Sequence, residues 1–282
     1  FKMTEDDRYE LYIAAWLHDC GKVATPPHVV DKGTKLETIF DRIELVKTRM
    51  EILKRDVEID FLKRQLNGSL PDYDEEYKNS IKEIDENIRF IESCNIGGEF
   101  MKPELQEKIK SISKQKLLLN NEEVNILTEN EVRNLNITKG TLLPEERDII
   151  NDHISITIDM LEQLPYPKNL KNIPEFAGGH HEKMDGTGYP KGLKADQMSP
   201  QAKIMAIADI YEALTAADRP YKEGKKLSQA MRIMGFMKND YHIDEDLFEI
   251  FVSSGVYKHY ADEYVAAGQI DDVDEKAILG VK

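Results

Sequence analysis

Residues 36–57, LETIFDRIELVKTRMEILKRDV, place Leu36, Ile39, Ile43, Val46, Met50, Leu53 and Val57 at alternating steps of three and four. That spacing is a heptad seam, and it predicts a long helix packed against another helix. Asn67-Gly68-Ser69-Leu70-Pro71 interrupts it with turn-forming residues. A second seam follows at Tyr77, Ile81, Ile84, Ile88 and Ile91, and Gly97-Gly98 closes it. Two such helices joined by a short loop predict an antiparallel hairpin.

Outward from the hairpin the period stays helical. Leu105, Ile109 and Ile112 mark a weaker helix, and Thr128 with Glu131 has capping-box spacing. Pro144 opens a helix expected to run to about Leu164, where Pro165-Tyr166-Pro167 stops it. Residues 178–200 are rich in glycine and read as an ordered loop. Ser199-Pro200 caps a helix with Ile204, Ile207, Ala208, Tyr211 and Leu214 inward, and Arg219-Pro220 ends it. No stretch alternates as a strand does, so the class is all-α: a helical bundle with an inserted antiparallel hairpin.

Composition narrows the function. The chain has 282 residues, 40% hydrophobic and 32% charged, with a net charge of −15. That supplies a core, and no apolar run reaches the ~18 residues of a membrane span. The acidic balance argues against binding duplex nucleic acid, which needs a positive face. Cys20 and Cys94 do not make a disulfide scaffold. A reducing cytosol fits, and the polar first ten residues do not read as a signal peptide. The chain opens on Phe1 and reads as a fragment of a longer protein.

Six residues carry the chemistry: His18, Asp19, His153, His180, His181 and Asp209. His18-Asp19 ends the first helix, on the face of Leu11, Ala14 and Ala15. His153 lies on an apolar stripe between Ile149 and Ile156. His180-His181 follows Gly178-Gly179, and Asp209 is flanked at the neighbouring turns by Ala206 and Ala213. Taken singly, each has a plain alternative: a lone histidine on a helix face is more often a satisfied core or surface residue, and a helix aspartate is usually solvated. Taken together they put imidazoles and carboxylates on inward faces, where an unpaired polar group is costly. Shared metal ligation would offset that cost, and the donor set suits Mn, Fe or Zn in a catalytic site.

His18-Asp19-Cys20-Gly21-Lys22 resembles the HD-x-GK signature of the HD phosphohydrolase superfamily. The string from His180 to Pro190, HHEKMDGTGYP, resembles the HHExxDGxGYP signature of its HD-GYP subfamily. Ala208-Asp209-Ile210-Tyr211-Glu212-Ala213-Leu214-Thr215 and Asp218-Arg219-Pro220-Tyr221-Lys222 are similar to the later D-x-[YF]-[DE]-A-L-T and DRPY segments. The likeness covers about residues 1–33 and 137–240. It implies a helical domain holding two, or three, divalent transition-metal ions, Fe or Mn. His18, Asp19, His153, His180, His181 and Asp209 would be the ligands, Asp19 bridging. Lys22 would face the substrate phosphate, with Arg219 and Lys222 as further phosphate contacts. Gly186, Gly188, Tyr189 and Pro190 would form a loop meeting substrate or partner.

The implied activity is hydrolysis of a bacterial cyclic dinucleotide, cyclic di-GMP or the hybrid form, in the cytoplasm. Two metals ~3.5–4 Å apart can activate a bridging water and clamp a phosphate, and Lys22 can donate to the developing charge. Two alternatives stand beside this one. One is a catalytically silent module docking a GGDEF-type partner; the other is a different HD nucleotide phosphohydrolase. The sequence departs from the family in two places. A ligand helix usually precedes the HD pair, yet residues 1–17 hold no histidine and only Glu5 and Glu10 as glutamates. Lys32-Gly33-Thr34 and Lys139-Gly140-Thr141 also read as two edges of one interrupted stretch. The expected domains are therefore residues 1–35 with 130–282, and an inserted hairpin over 36–129. Its charged faces suit solvent, or a coiled-coil protrusion for homodimerisation or signal input.

Overall fold

The computed structural model describes residues 2–68, 73–98, 100–216 and 224–280. In chain order the elements are α1 (Glu5–Leu17), α2 (Pro27–Val30), α3 (Ile43–Leu66), α4 (Tyr73–Asn95), α5 (Pro103–Ser113), β1 (Lys116–Leu119), β2 (Glu122–Asn125), α6 (Glu129–Leu135), α7 (Pro144–Asn151), α8 (His153–Glu162), α9 (Ile173–Gly178), α10 (Pro200–Thr215), α11 (Leu227–Asn239), α12 (Glu245–Ser253), α13 (Val256–Tyr264) and α14 (Glu275–Leu279). The class is all-α. Among the described residues, no helix is long and apolar enough to cross a membrane. The chain divides into two units, residues 1–25 with 148–282, and residues 26–147.

In the 26–147 unit, α3 packs on α4. Val46 and Met50 from the first seam, with Ile84 and Ile91 from the second, join Ile109, Ile126 and Leu135 in one core. The seam of α3 starts later than its spacing predicts. Residues 36–42 are not helical, and Ile39 is 92% exposed. A polar knot diverts the backbone there: the Thr34 hydroxyl and the Asn95 amide both donate to Asp41, at 2.7 and 2.8 Å. Asp41 in turn accepts from the N–H of Ile43, the first residue of the helix, at 2.9 Å. Thr128 and Glu131 form the expected capping box of α6. The β1–β2 hairpin was not expected. It turns on Asn120 and Asn121, both left-handed (φ 52° and 66°), the conformation of a two-residue hairpin turn.

The other unit has two adjoining apolar clusters. One joins Tyr211, Met231, Met234, Phe248 and Tyr257 from α10 to α13. The other joins Ala14 of α1, Leu161 of α8, Ile173 and Phe176 of α9, and Met205 of α10. This second cluster holds four helices so that their ends and inner faces meet. The expected helix from Pro144 is divided at Asp152 into α7 and α8. Ser199 caps α10 through the Ala202 N–H, as expected, but Ala208 is exposed rather than inward. Arg219-Pro220 and Ser69-Leu70-Pro71 lie outside the described residues.

Candidate metal centre

The last carbonyls of a helix have no intrahelical donor. This chain uses that fact three times. His18 follows the end of α1, His153 follows α7, and His180 follows α9. Each imidazole places Nδ1 against the carbonyl three residues earlier: Ala15 at 2.6 Å, Ile150, and Ala177 at 2.6 Å. A carbonyl only accepts, so Nδ1 carries the proton and donates. That leaves Nε2 as the site-facing nitrogen, the arrangement by which outer partners orient a metal-ligating histidine.

Those nitrogens converge on two carboxylates. Asp19 Oδ1 lies 3.0 Å from His153 Nε2, and Asp19 Oδ2 lies 3.3 Å from His18 Nε2. Asp209 Oδ1, from the middle of α10, lies 3.7 Å from His18 Nε2. Asp19 Oδ1, His153 Nε2 and His180 Nε2 are buried atoms without a hydrogen-bond partner. Asp19 Oδ1 and His153 Nε2 stand 3.0 Å apart. A proton or a cation between such atoms makes that contact favourable.

At His18 a proton serves. Burial pulls its pKa down, but Asp19 and Asp209 outweigh burial and raise it to about 10. Burial pushes Asp19 up, yet bonds from His153, His18 and Lys22 hold it well below the carboxylate range. Burial likewise raises Asp209, and the His18 bond and nearby imidazoles lower it overall. His180 and His181 are drawn down by burial to about 4 and about 3, so both are neutral near pH 7 and able to ligate.

Two sets of ligand atoms each fall within 4.8 Å of one another: His153, His180 and His181, and His18, Asp19 and His180. Their shared member is His180. The structure therefore brings all six expected residues to one place, from four stretches of chain. Orphaned buried Nε2 and carboxylate atoms fit a cation cluster, and their nitrogen and oxygen chemistry suits a first-row transition metal.

Residues 129–247 match the HD domain family. That stretch is similar to HD domains, and the motifs at the site resemble those of the HD-GYP type. Several relatives are similar to part of the chain. A 3'3'-cGAMP-specific phosphodiesterase of Vibrio cholerae is 41% identical over 80 residues, 28% of this chain and 18% of the relative. A cyclic di-GMP phosphodiesterase of Pseudomonas aeruginosa is 44% identical over 79 residues, 28% of this chain and 18% of the relative. Another, of Thermotoga maritima, is 40% identical over 93 residues, 33% of this chain and 25% of the relative. The chain thus spans a quarter or less of the length of these relatives. His18 and Asp19 precede the stretch matched to the HD family; His153, His180, His181 and Asp209 lie within it.

Around the site, three residues do structural work that spacing alone did not assign. Gly21 donates its N–H to the Thr157 hydroxyl at 2.9 Å, which holds the turn after Asp19 against α8. A Cβ at Gly21 would stand 2.1 Å from the His153 carbonyl oxygen, so only glycine permits the approach. Thr157 lies one turn from His153, and that spacing was the available signal. Glu182 is buried, and its carboxylate accepts from the N–H groups of Lys191 and Leu193 at 2.7 and 2.8 Å. It folds the loop back on itself. Gly186 has φ +84°, and a Cβ at Gly188 would meet the Lys183 nitrogen at 2.4 Å. Tyr189 then stacks on His181, beside Pro190.

The remaining expected residues are placed as follows. Lys22 is half-exposed and its Nζ is 2.5 Å from Asp19 Oδ2. Arg219 and Lys222 lie outside the described residues. Glu10 is buried with its carboxylate accepting from the Asn172 N–H and side-chain amide, at 2.6 and 3.1 Å, and Glu5 is exposed.

Proposed function

We propose that this chain is the hydrolytic domain of a metal-dependent phosphodiesterase that opens a bacterial cyclic dinucleotide, cyclic di-GMP foremost. The observation that carries this reading is the meeting of four imidazoles with Asp19 and Asp209 from four separate stretches. His18, Asp19, His153, His180, His181 and Asp209 would hold two or more divalent cations, Mn or Fe. Bound there, such ions acidify a water and neutralise charge on the phosphoryl oxygens. Asp19 presents one oxygen toward His18 and the other toward His153, which suits a bridging role. Lys22 stands beside it at the solvent side and supplies positive charge to a phosphate in the transition state. Arg219 and Lys222 are further phosphate contacts in this reading. Residues 36–129 are an inserted hairpin, suited to pairing with a second copy, and the setting is the bacterial cytoplasm.

The test is direct. The chain, loaded with Mn²⁺, is incubated with cyclic di-GMP and with 3'3'-cGAMP, and the products are separated by chromatography. A linear dinucleotide is expected; turnover of neither substrate by metal-replete protein overturns the reading. One observation favours a second reading, a silent module whose Gly186–Pro190 loop docks a GGDEF-type partner: Glu10 is committed to Asn172 and offers no ligand ahead of His18. Elemental analysis after gentle purification separates the two, because the silent module carries no transition metal.

A further inference from the structure

The four imidazoles of the cluster are not held alike. His18, His153 and His180 each rest on a backbone carbonyl through Nδ1. The His181 ring has no such partner among the described residues. Its neighbours are rings: His180 at 4.3 Å tilted by 42°, His153 at 5.4 Å nearly edge-on, and Tyr189 at 4.9 Å almost parallel, at 14°. Torsion about the bond to an imidazole is broad, so an unsupported ring samples many planes. A ligating lone pair lies in the ring plane, and whatever fixes the plane aims the nitrogen.

We infer that Tyr189 is the positioning residue of His181, its ring face performing for that imidazole the orienting task that carbonyls perform for the other three. This rests on the reading of His181 as a cation ligand. The loop between them is built to return the tyrosine to the histidine. The Tyr189 N–H donates to the His181 carbonyl at 3.2 Å. Glu182 ties down Lys191 and Leu193 just beyond. Gly188 lets the chain pass against the Glu182–Lys183 backbone. Every one of those contacts is made by backbone or by Glu182, so the tyrosine side chain itself is left to cover His181. The task belongs to the ring and not to the hydroxyl, because the contact is face to face.

The test uses the full chain with Tyr189→Phe, Tyr189→Leu, His181→Ala and the double variant Tyr189→Leu/His181→Ala. Mn²⁺ is titrated calorimetrically, and ¹⁵N-labelled imidazoles are followed by NMR in metal-free protein. Outer supports of ligating histidines are worth about tenfold to a hundredfold in metal affinity. Tyr189→Leu is therefore expected to weaken Mn²⁺ binding by about tenfold or more, and Tyr189→Phe to restore it. In the His181→Ala background, Tyr189→Leu adds no further loss. In metal-free Tyr189→Leu the His181 signals shift or broaden, while those of His18, His153 and His180 stay in place. Unchanged His181 signals, an equal loss without His181, or a loss in Tyr189→Phe each overturn the inference. Should the parent chain bind no Mn²⁺, the cation reading fails, and the metal-free spectra still decide what Tyr189 does. Tyr189→Phe folds around the same ring, so its spectrum and affinity test the inference even if Tyr189→Leu proves unfolded by circular dichroism.

Discussion

Asp19 meets three nitrogens at once: His153 on one oxygen, and His18 and Lys22 on the other. Asp19→Asn keeps its shape and removes the charge that gathers them. It is expected to lose bound metal and all metal-dependent hydrolysis while circular dichroism stays unchanged. In the proposed reaction Lys22 acts on the substrate side, so Lys22→Ala should lower kcat by about a hundredfold to a thousandfold, the usual cost of one electrostatic donor, with metal content intact by elemental analysis. Protons report on the same residues in metal-free protein. His180 and His181, at about 4 and about 3, sit below a free imidazole at ~6.5. Unfolding in that window takes up protons, so their contribution to stability is whole above about pH 6.5 and is lost as pH falls through about 4. His18, raised to about 10, runs the other way: its contribution is whole below about pH 6.5 and is lost as pH rises toward 10. Tm of chelator-treated protein should therefore fall on both sides of near-neutral pH, and His18→Gln should flatten the alkaline limb.

Between elements, the closest contact that matters to the site is the turn after Asp19 against α8. Gly21→Ala puts a methyl into the His153 carbonyl and Thr157. Overpacking of this kind costs about 1–3 kcal/mol, and here it also displaces Asp19 from His153. Chemical denaturation should show the loss of stability, and the variant should bind Mn²⁺ more weakly. The elements themselves were legible to very different degrees. Met50, Ile84 and Ile91 lie where their period put them, because burial of a helix face imposes that period. The start of α3 was not legible: the apolar spacing runs on through Leu36 and Ile39, and it is Thr34 together with Asn95, remote in sequence, that fixes Asp41 and bends the chain. The hairpin of β1 and β2 was hidden because Lys116-Leu117-Leu118-Leu119 does not alternate and the turn depends on two left-handed asparagines. At the site, the imidazole and carboxylate residues that converge were readable from the motifs. The carbonyl support of three histidines was not, because it depends on where each helix stops. Glu182 could as readily have been a ligand by its position, and only its two backbone donors show it to be a brace.

At the scale of the whole molecule, the 26–147 unit is held shut by a buried charge. The Lys32 side chain is fully buried; its ammonium donates to both oxygens of Glu146, at 2.7 and 2.9 Å, and to Asn134 at 2.8 Å. Removing one partner of such a pair strands the other charge, at about 3–5 kcal/mol. Glu146→Ala should therefore lower the denaturation midpoint far more than Glu145→Ala, whose Arg133 bridge is exposed at the surface. The Lys32 carbonyl also accepts from the Thr141 hydroxyl at 3.0 Å, so the outgoing chain lies against the incoming one. A fastening of that kind makes what hangs from it a cassette. The tip of the long helical pair can be trimmed, extended or swapped for another pair by whole turns, and the clasp at its root will not register the change.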